Sequence, residues 1–205
     1  MEDFVAAIRV FSQDKNWTEL KEYINESAAL VTKNASKIDS AIAALSPIEQ
    51  SLGYLGLILF KVSLPSYGDF ELLYQQMQQL IENGCKLQIQ QGVDKFCHVI
   101  HFLTKALVDQ HQAFRGIPLL NMAIKKVQKH PSELTSIHAD LIQLCLVVKC
   151  FKPAFKYLDV DVTDINNEFG HFDAKYYLLY YYYGGMVYLA MKKYDQAFFF
   201  LYPMR

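Results

Sequence analysis

Apolar residues recur along this chain at intervals of three and four, the spacing of an amphipathic helix. Residues 3–12 put Phe4, Ala7, Ile8 and Phe11 on one face. After a short polar turn, Trp17, Leu20, Tyr23 and Ile24 form a second stripe, with Asn16 placed to cap it. Together they predict a helical hairpin. The polar segment 32–40 is expected to be partly helical. Ser46-Pro47-Ile48-Glu49 reads as a helix start: serine supplies the cap oxygen, proline fits the first turn, and Glu49 reaches back. The helix it opens carries Leu52, Leu55, Leu59 and Val62 and stops near Pro65. It is apolar almost all round, which predicts deep burial, and Gly53 and Gly56 admit a close neighbour.

The period continues to the end of the chain. Asp69 caps a predicted helix with Phe70, Leu73, Met77, Leu80 and Ile81 inward, ended by Asn83-Gly84; Gln75, Gln76, Gln78 and Gln79 form its solvated face. Helices are expected over 92–108, over 115–127 (closed by His130-Pro131) and over 132–149. A short partner helix starts at Phe151 with Pro153 in its first turn, residues 159–164 form a turn, and Asp173 caps a long aromatic helix. No strand pattern emerges. In that last stretch Tyr181, Gly185, Tyr188, Tyr194, Ala197 and Leu201 fill, in order, the slots of the tetratricopeptide (TPR) repeat. Ile117, Ala154 and Ala197 hold corresponding places in successive pairs, 37 and 43 residues apart. A strict array keeps about 34. The predicted class is all-α: an irregular α-solenoid of stacked TPR-like helical hairpins, with residues 1–205 as a single helical-repeat domain.

Composition narrows the function classes. With 52% hydrophobic and 14% aromatic residues there is ample apolar surface to offset chain entropy, so disorder is excluded. Lys+Arg 20 against Asp+Glu 21, with no basic stripe, predicts no nucleic-acid partner. The longest apolar run, 52–60, is short of the roughly 20 residues that span a bilayer, so no membrane partner is expected. The acidic start Met1-Glu2-Asp3 does not suit a signal peptide, and Cys85, Cys97, Cys145 and Cys150 lack paired spacing. Both point to a reduced, intracellular protein.

Candidate chemistry is thin. Cys97, His98 and His101 share a helical stretch, and zinc would need further ligands that no nearby motif supplies. Asp159, Asp161 and Thr163 begin like a calcium loop, but Asp164 stands where glycine is needed and Gly170 where glutamate is needed. Ser136 and His138 lack a nucleophile elbow, and Gly184-Gly185 lacks the lysine of a phosphate loop. The tyrosine cluster could line an aromatic cage or a peptide groove, but at helical spacing packing is the expectation. No catalytic, cofactor-binding or metal-binding residue is predicted, and no cofactor.

Two stretches carry a resemblance. Leu134-Thr-Ser-Ile-His-Ala-Asp-Leu-Ile-Gln-Leu-Cys-Leu-Val-Val-Lys-Cys-Phe-Lys-Pro-Ala, followed by Tyr157-Leu-Asp-Val-Asp-Val, is one. Phe172-Asp-Ala-Lys-Tyr-Tyr-Leu-Leu-Tyr-Tyr-Tyr-Tyr-Gly-Gly-Met-Val-Tyr is the other. Both closely resemble the subunit 3 family of the COP9 signalosome, and Ser51-Leu-Gly-Tyr-Leu and Arg115-Gly-Ile follow it more loosely. The resemblance implies a non-catalytic, cytoplasmic and nuclear scaffold within the complex that removes NEDD8 from cullin-RING ubiquitin ligases. Its direct partners would be other signalosome subunits, and the zinc isopeptidase centre would reside in one of those. It also implies a C-terminal PCI module, expected to be absent here because the chain ends Leu201-Tyr-Pro-Met-Arg. An uncapped last repeat would then invite self-association. Two alternatives stand beside it: a related scaffold subunit of the proteasome lid, and a metal-dependent enzyme using Cys97, His98 and His101.

Overall fold

A computed structural model describes residues 1–166 and 173–202. The chain divides into two compact units, Met1–Val99 and Ile100–Arg205. Almost all regular structure is helical, as the apolar period predicts.

The first unit holds α1 (Glu2–Gln13), α2 (Trp17–Glu26), α3 (Ala28–Lys33), α4 (Ile38–Ala43), α5 (Ser51–Ser63), α6 (Phe70–Asn83) and α7 (Lys86–Gln90). Its centre is α5, where Leu52, Leu55, Leu57 and Ile58 are buried. The two glycines explain how α5 reaches the first hairpin. A Cβ on Gly53 would lie 2.3 Å from Ile8 Cγ2, and one on Gly56 2.9 Å from Ile24 Cγ2.

The expected start of α5 needs correction. The helix begins at Ser51, one turn later than Ser46-Pro47 predicts. Ser46 Oγ does accept the Glu49 N–H at 3.4 Å, but the side chain that reaches back is Gln50, whose Oε1 accepts from Ser46 N at 2.8 Å. The first turn of α5 is then tied from α7: Gln88 accepts from Leu52 N at 3.1 Å and donates to the Glu49 carbonyl at 2.8 Å. Gln76 is a second correction. It is buried rather than solvated, because Lys61 on α5 is also buried and needs acceptors, which Asp39 and Gln76 (3.0 Å) provide.

The helix α8 (Val93–Asp109) runs across the division between the units. The second unit continues with α9 (Ala113–Val127), α10 (Ser136–Val147), α11 (Lys152–Leu158), α12 (Ala174–Ala190) and α13 (Tyr194–Leu201). Here α9 packs on α10, α10 on α12, and α12 on α13. Two short strands depart from the strand-free expectation: β1 (Glu133–Leu134) pairs in parallel with β2 (Asp164–Ile165). They exist because α10 starts later than 132. A capping box between Thr135 and His138 stops the helix at Ser136 and leaves the residues before it extended.

Four hairpins turn in the same way. Lys15, His111, Lys149 and Lys192 each take a positive φ, between 54° and 59°. In each case the next residue's N–H returns to a carbonyl five residues back: Asn16 to Phe11, Gln112 to Leu107, Cys150 to Cys145, and Lys193 to Tyr188, at 2.8–3.0 Å. This is the Schellman ending, and a partner helix starts one or two residues later.

Candidate functional site

The aromatic stretch divides into two faces. Asp173 opens α12 by accepting the Lys175 N–H at 3.0 Å, as its sequence position predicts. Along the inner face Tyr180, Gly184, Val187 and Tyr188 are buried. Glycine is required there by close approach, since a Cβ on Gly184 would meet the Phe200 ring at 2.7 Å and Leu158 at 2.8 Å. Phe200 of α13 fills the space between three tyrosines, its ring centroid 5.8 Å from Tyr180, 5.4 Å from Tyr181 and 5.2 Å from Tyr188.

The inner hydroxyls are committed to structure. Tyr180 donates to the Tyr157 carbonyl at 3.2 Å, Tyr157 to Asn121 Oδ1 at 3.0 Å, and Tyr188 to Asp159 Oδ1 at 2.7 Å. One chain of bonds thereby links α9, α11 and α12. Burial pushes the Tyr157 phenol up to about 12 and raises Tyr180 and Tyr188 further, so all three remain donors. Beneath them lies His138, edge-on to Tyr157 at 4.9 Å, with Nδ1 accepting the Thr135 N–H at 3.0 Å. Burial pulls its imidazole down to about 4, against a hydrogen bond to the Thr135 backbone that acts the other way.

The outer face is apolar and open. On α12 the exposed large apolar side chains are Leu178, Tyr182, Met186 and Leu189, spaced by four, four and three. Tyr194 and Phe198 of α13, with Tyr202 just past its end, follow at a spacing of four, while Phe199, 67% exposed, lies about a quarter-turn further round the helix. Helical phase puts both stripes on the side where Gly185 meets Leu201, at 2.6 Å from a Cβ built on the glycine, so they share one side of the hairpin. Packing is the expectation for the tyrosine cluster and holds for Tyr180, Tyr181 and Tyr188, whereas Tyr182 falls outside it. The sequence signal is that α12 is apolar on every side, whereas a helix packed on one side needs only one apolar stripe.

The remaining candidates separate. His98 is exposed and Cys97 half-buried. His101 Nδ1 is engaged with Asp140 Oδ2, and its ring stacks on Tyr176 at 4.1 Å. Burial holds the Asp140 carboxyl above its ordinary range despite that contact. Among the described residues no three His, Cys, Asp or Glu side chains group to hold a metal ion, and no helix is long and apolar enough to cross a membrane. Asp159 serves Tyr188, Asp161 is exposed, and Gly170 lies outside the described residues. Ser136 and His138 are both buried within the start of α10, where His138 completes the cap.

Residues 14–203 match the family described as COP9 signalosome complex subunit 3, N-terminal helical repeats. The chain belongs to this family. The match runs from the first hairpin turn through α13 and so takes in all four Schellman turns. COP9 signalosome complex subunit 3 of Drosophila melanogaster is 33% identical over 217 residues, covering 98% of this chain and 49% of the relative. The subunit 3 of Dictyostelium discoideum is 29% identical over 188 residues, covering 91% of this chain and 44% of the relative. This member of the subunit 3 repeat family thus spans about half the length of the curated relatives it matches.

Proposed function

We propose that the chain is a non-catalytic scaffold of the COP9 signalosome. It binds other subunits of that complex and so supports removal of NEDD8 from cullin-RING ubiquitin ligases, in the cytoplasm and the nucleus. Family membership supports the setting. The observation that carries a docking role is the outer face of α12 and α13. Exposed apolar side chains gathered on one side of a hairpin are the pattern that marks an interaction site. Burying a fully exposed large apolar side chain contributes about 1.5–3 kcal/mol, and these, already partly covered, would each contribute a fraction of that. The buried tyrosines and His138, by contrast, are occupied in holding the hairpins together.

Affinity capture from cells tests the reading, with the longer Drosophila relative run as a positive control. The chain is expected to recover signalosome subunits. Recovery of proteasome regulatory particles in their place would overturn the assignment in favour of the lid. Elemental analysis of the purified chain bears on catalysis: stoichiometric zinc would return Cys97, His98 and His101 to consideration. In isolation the open face is expected to be covered by a second copy of the chain.

A further inference from the structure

The turn that ends α10 brings two cysteines together. Lys149 sits in the left-handed region at φ 56°, its N–H reaching the Leu146 carbonyl at 3.1 Å, and the Cys150 N–H bonds the Cys145 carbonyl at 2.9 Å. In this ending the residue after the left-handed position folds back over the last helical turn, and its side chain meets the residue five before it. Those two positions are Cys150 and Cys145. In the equivalent pair at the end of α12, Lys193 folds back in the same way, its Nζ 5.9 Å from the Tyr188 ring centroid and 4.8 Å from that of Phe155. Cys145 is fully buried, whereas Cys150 is partly exposed. A disulfide needs Cα atoms about 4.4–6.8 Å apart with Cβ atoms turned toward one another, which the hydrogen-bonded turn favours.

We propose that Cys145 and Cys150 form a redox-active dithiol that a hydroperoxide closes to a disulfide. The Cys150 thiolate attacks the O–O bond and becomes a sulfenic acid, releasing water or an alcohol. The Cys145 sulfur then displaces the sulfenic oxygen, which leaves as water with the Cys145 proton. Two thiols lose two electrons and two protons, and the peroxide is reduced. The order follows from access and acidity, since burial, reinforced by the nearby Cys150, pushes the Cys145 thiol up to about 12 and leaves it a poor first nucleophile. Closure ties the α10 end to the start of α11, whose Tyr157 carbonyl anchors Tyr180.

Peptide mapping of the intact purified chain tests this after treatment with hydrogen peroxide, quenching in acid and alkylation in denaturant. Cleavage after Lys149 separates the two cysteines. The expected product is a linked pair of peptides, lighter by two hydrogens than their sum and released by a dithiol reductant. Separate alkylation of both cysteines, or linkage of either to Cys85 or Cys97, would overturn the proposal. In Cys150→Ser, Cys145 should remain alkylatable at the same peroxide dose. Equal oxidation of Cys145 without Cys150 would also overturn it.

Discussion

In the folded chain His138 is held neutral, because its Nδ1 accepts the Thr135 N–H and burial takes its pKa from 6.5 to about 4. The unfolded chain therefore binds the extra proton between those values, and stability rises with pH across that window. The contribution is complete above about 6.5 and is lost as pH falls toward 4, an effect on the order of 3 kcal/mol. Urea titrations at several pH values should show it. His138→Gln keeps a capping-box side chain, and it should flatten the wild-type slope; an unchanged slope would place the proton elsewhere. Tyr157→Phe removes the hydroxyl that donates to Asn121, and it should cost about 1 kcal/mol in the same assay. Some of this scale was legible in advance. Asn16, Asp69 and Asp173 stand at cap positions in the sequence, and each accepts the backbone N–H expected of a cap. The cap at Thr135 was not, because histidine replaces the Glu or Gln that normally signals the box.

Helices were placed by period, and most fall where the apolar residues put them. Their ends were harder to read. Glycine is the usual signal for a left-handed ending, yet the four hairpin turns use three lysines and a histidine. Gly84, where such an ending was expected, has φ −59° and is required by close approach instead, since a Cβ would lie 2.4 Å from the Leu80 carbonyl. The left-handed conformation costs an L-residue roughly 1 kcal/mol. Lys192→Gly should accordingly stabilise the chain by about 0.5–1 kcal/mol, read as a raised midpoint in urea. Gly184→Ala has the opposite sign. Its methyl would collide with the Phe200 ring and Leu158, and overpacking of this kind should cost about 1–3 kcal/mol. The strand pair β1–β2 could not be foreseen, since two residues are too few to show a period of two.

At the scale of the whole chain, an all-helical repeat architecture was evident from the spacing of apolar residues, and the family from the stretches around 134–154 and 172–188. The exposed apolar face is not separable from the core in the sequence, because a buried tyrosine and an exposed one are the same letter. Tyr180 and Tyr182, two residues apart, fall on opposite sides of that division. Only the helical phase set by Gly184 and Gly185 against α13 assigns them. The combined variant Leu178→Ser, Tyr182→Ser and Phe198→Ser should change little in the fold, since all three side chains are exposed. Light scattering across concentrations should show wild-type self-association and its loss in the variant. A docking role for this face is tested by capturing signalosome subunits from one lysate on the wild-type chain and on this triple variant, after confirming equal helical content. The wild type is expected to retain them and the variant to lose at least about tenfold, the equivalent of roughly 1.4 kcal/mol. Equal recovery on both would contradict that role.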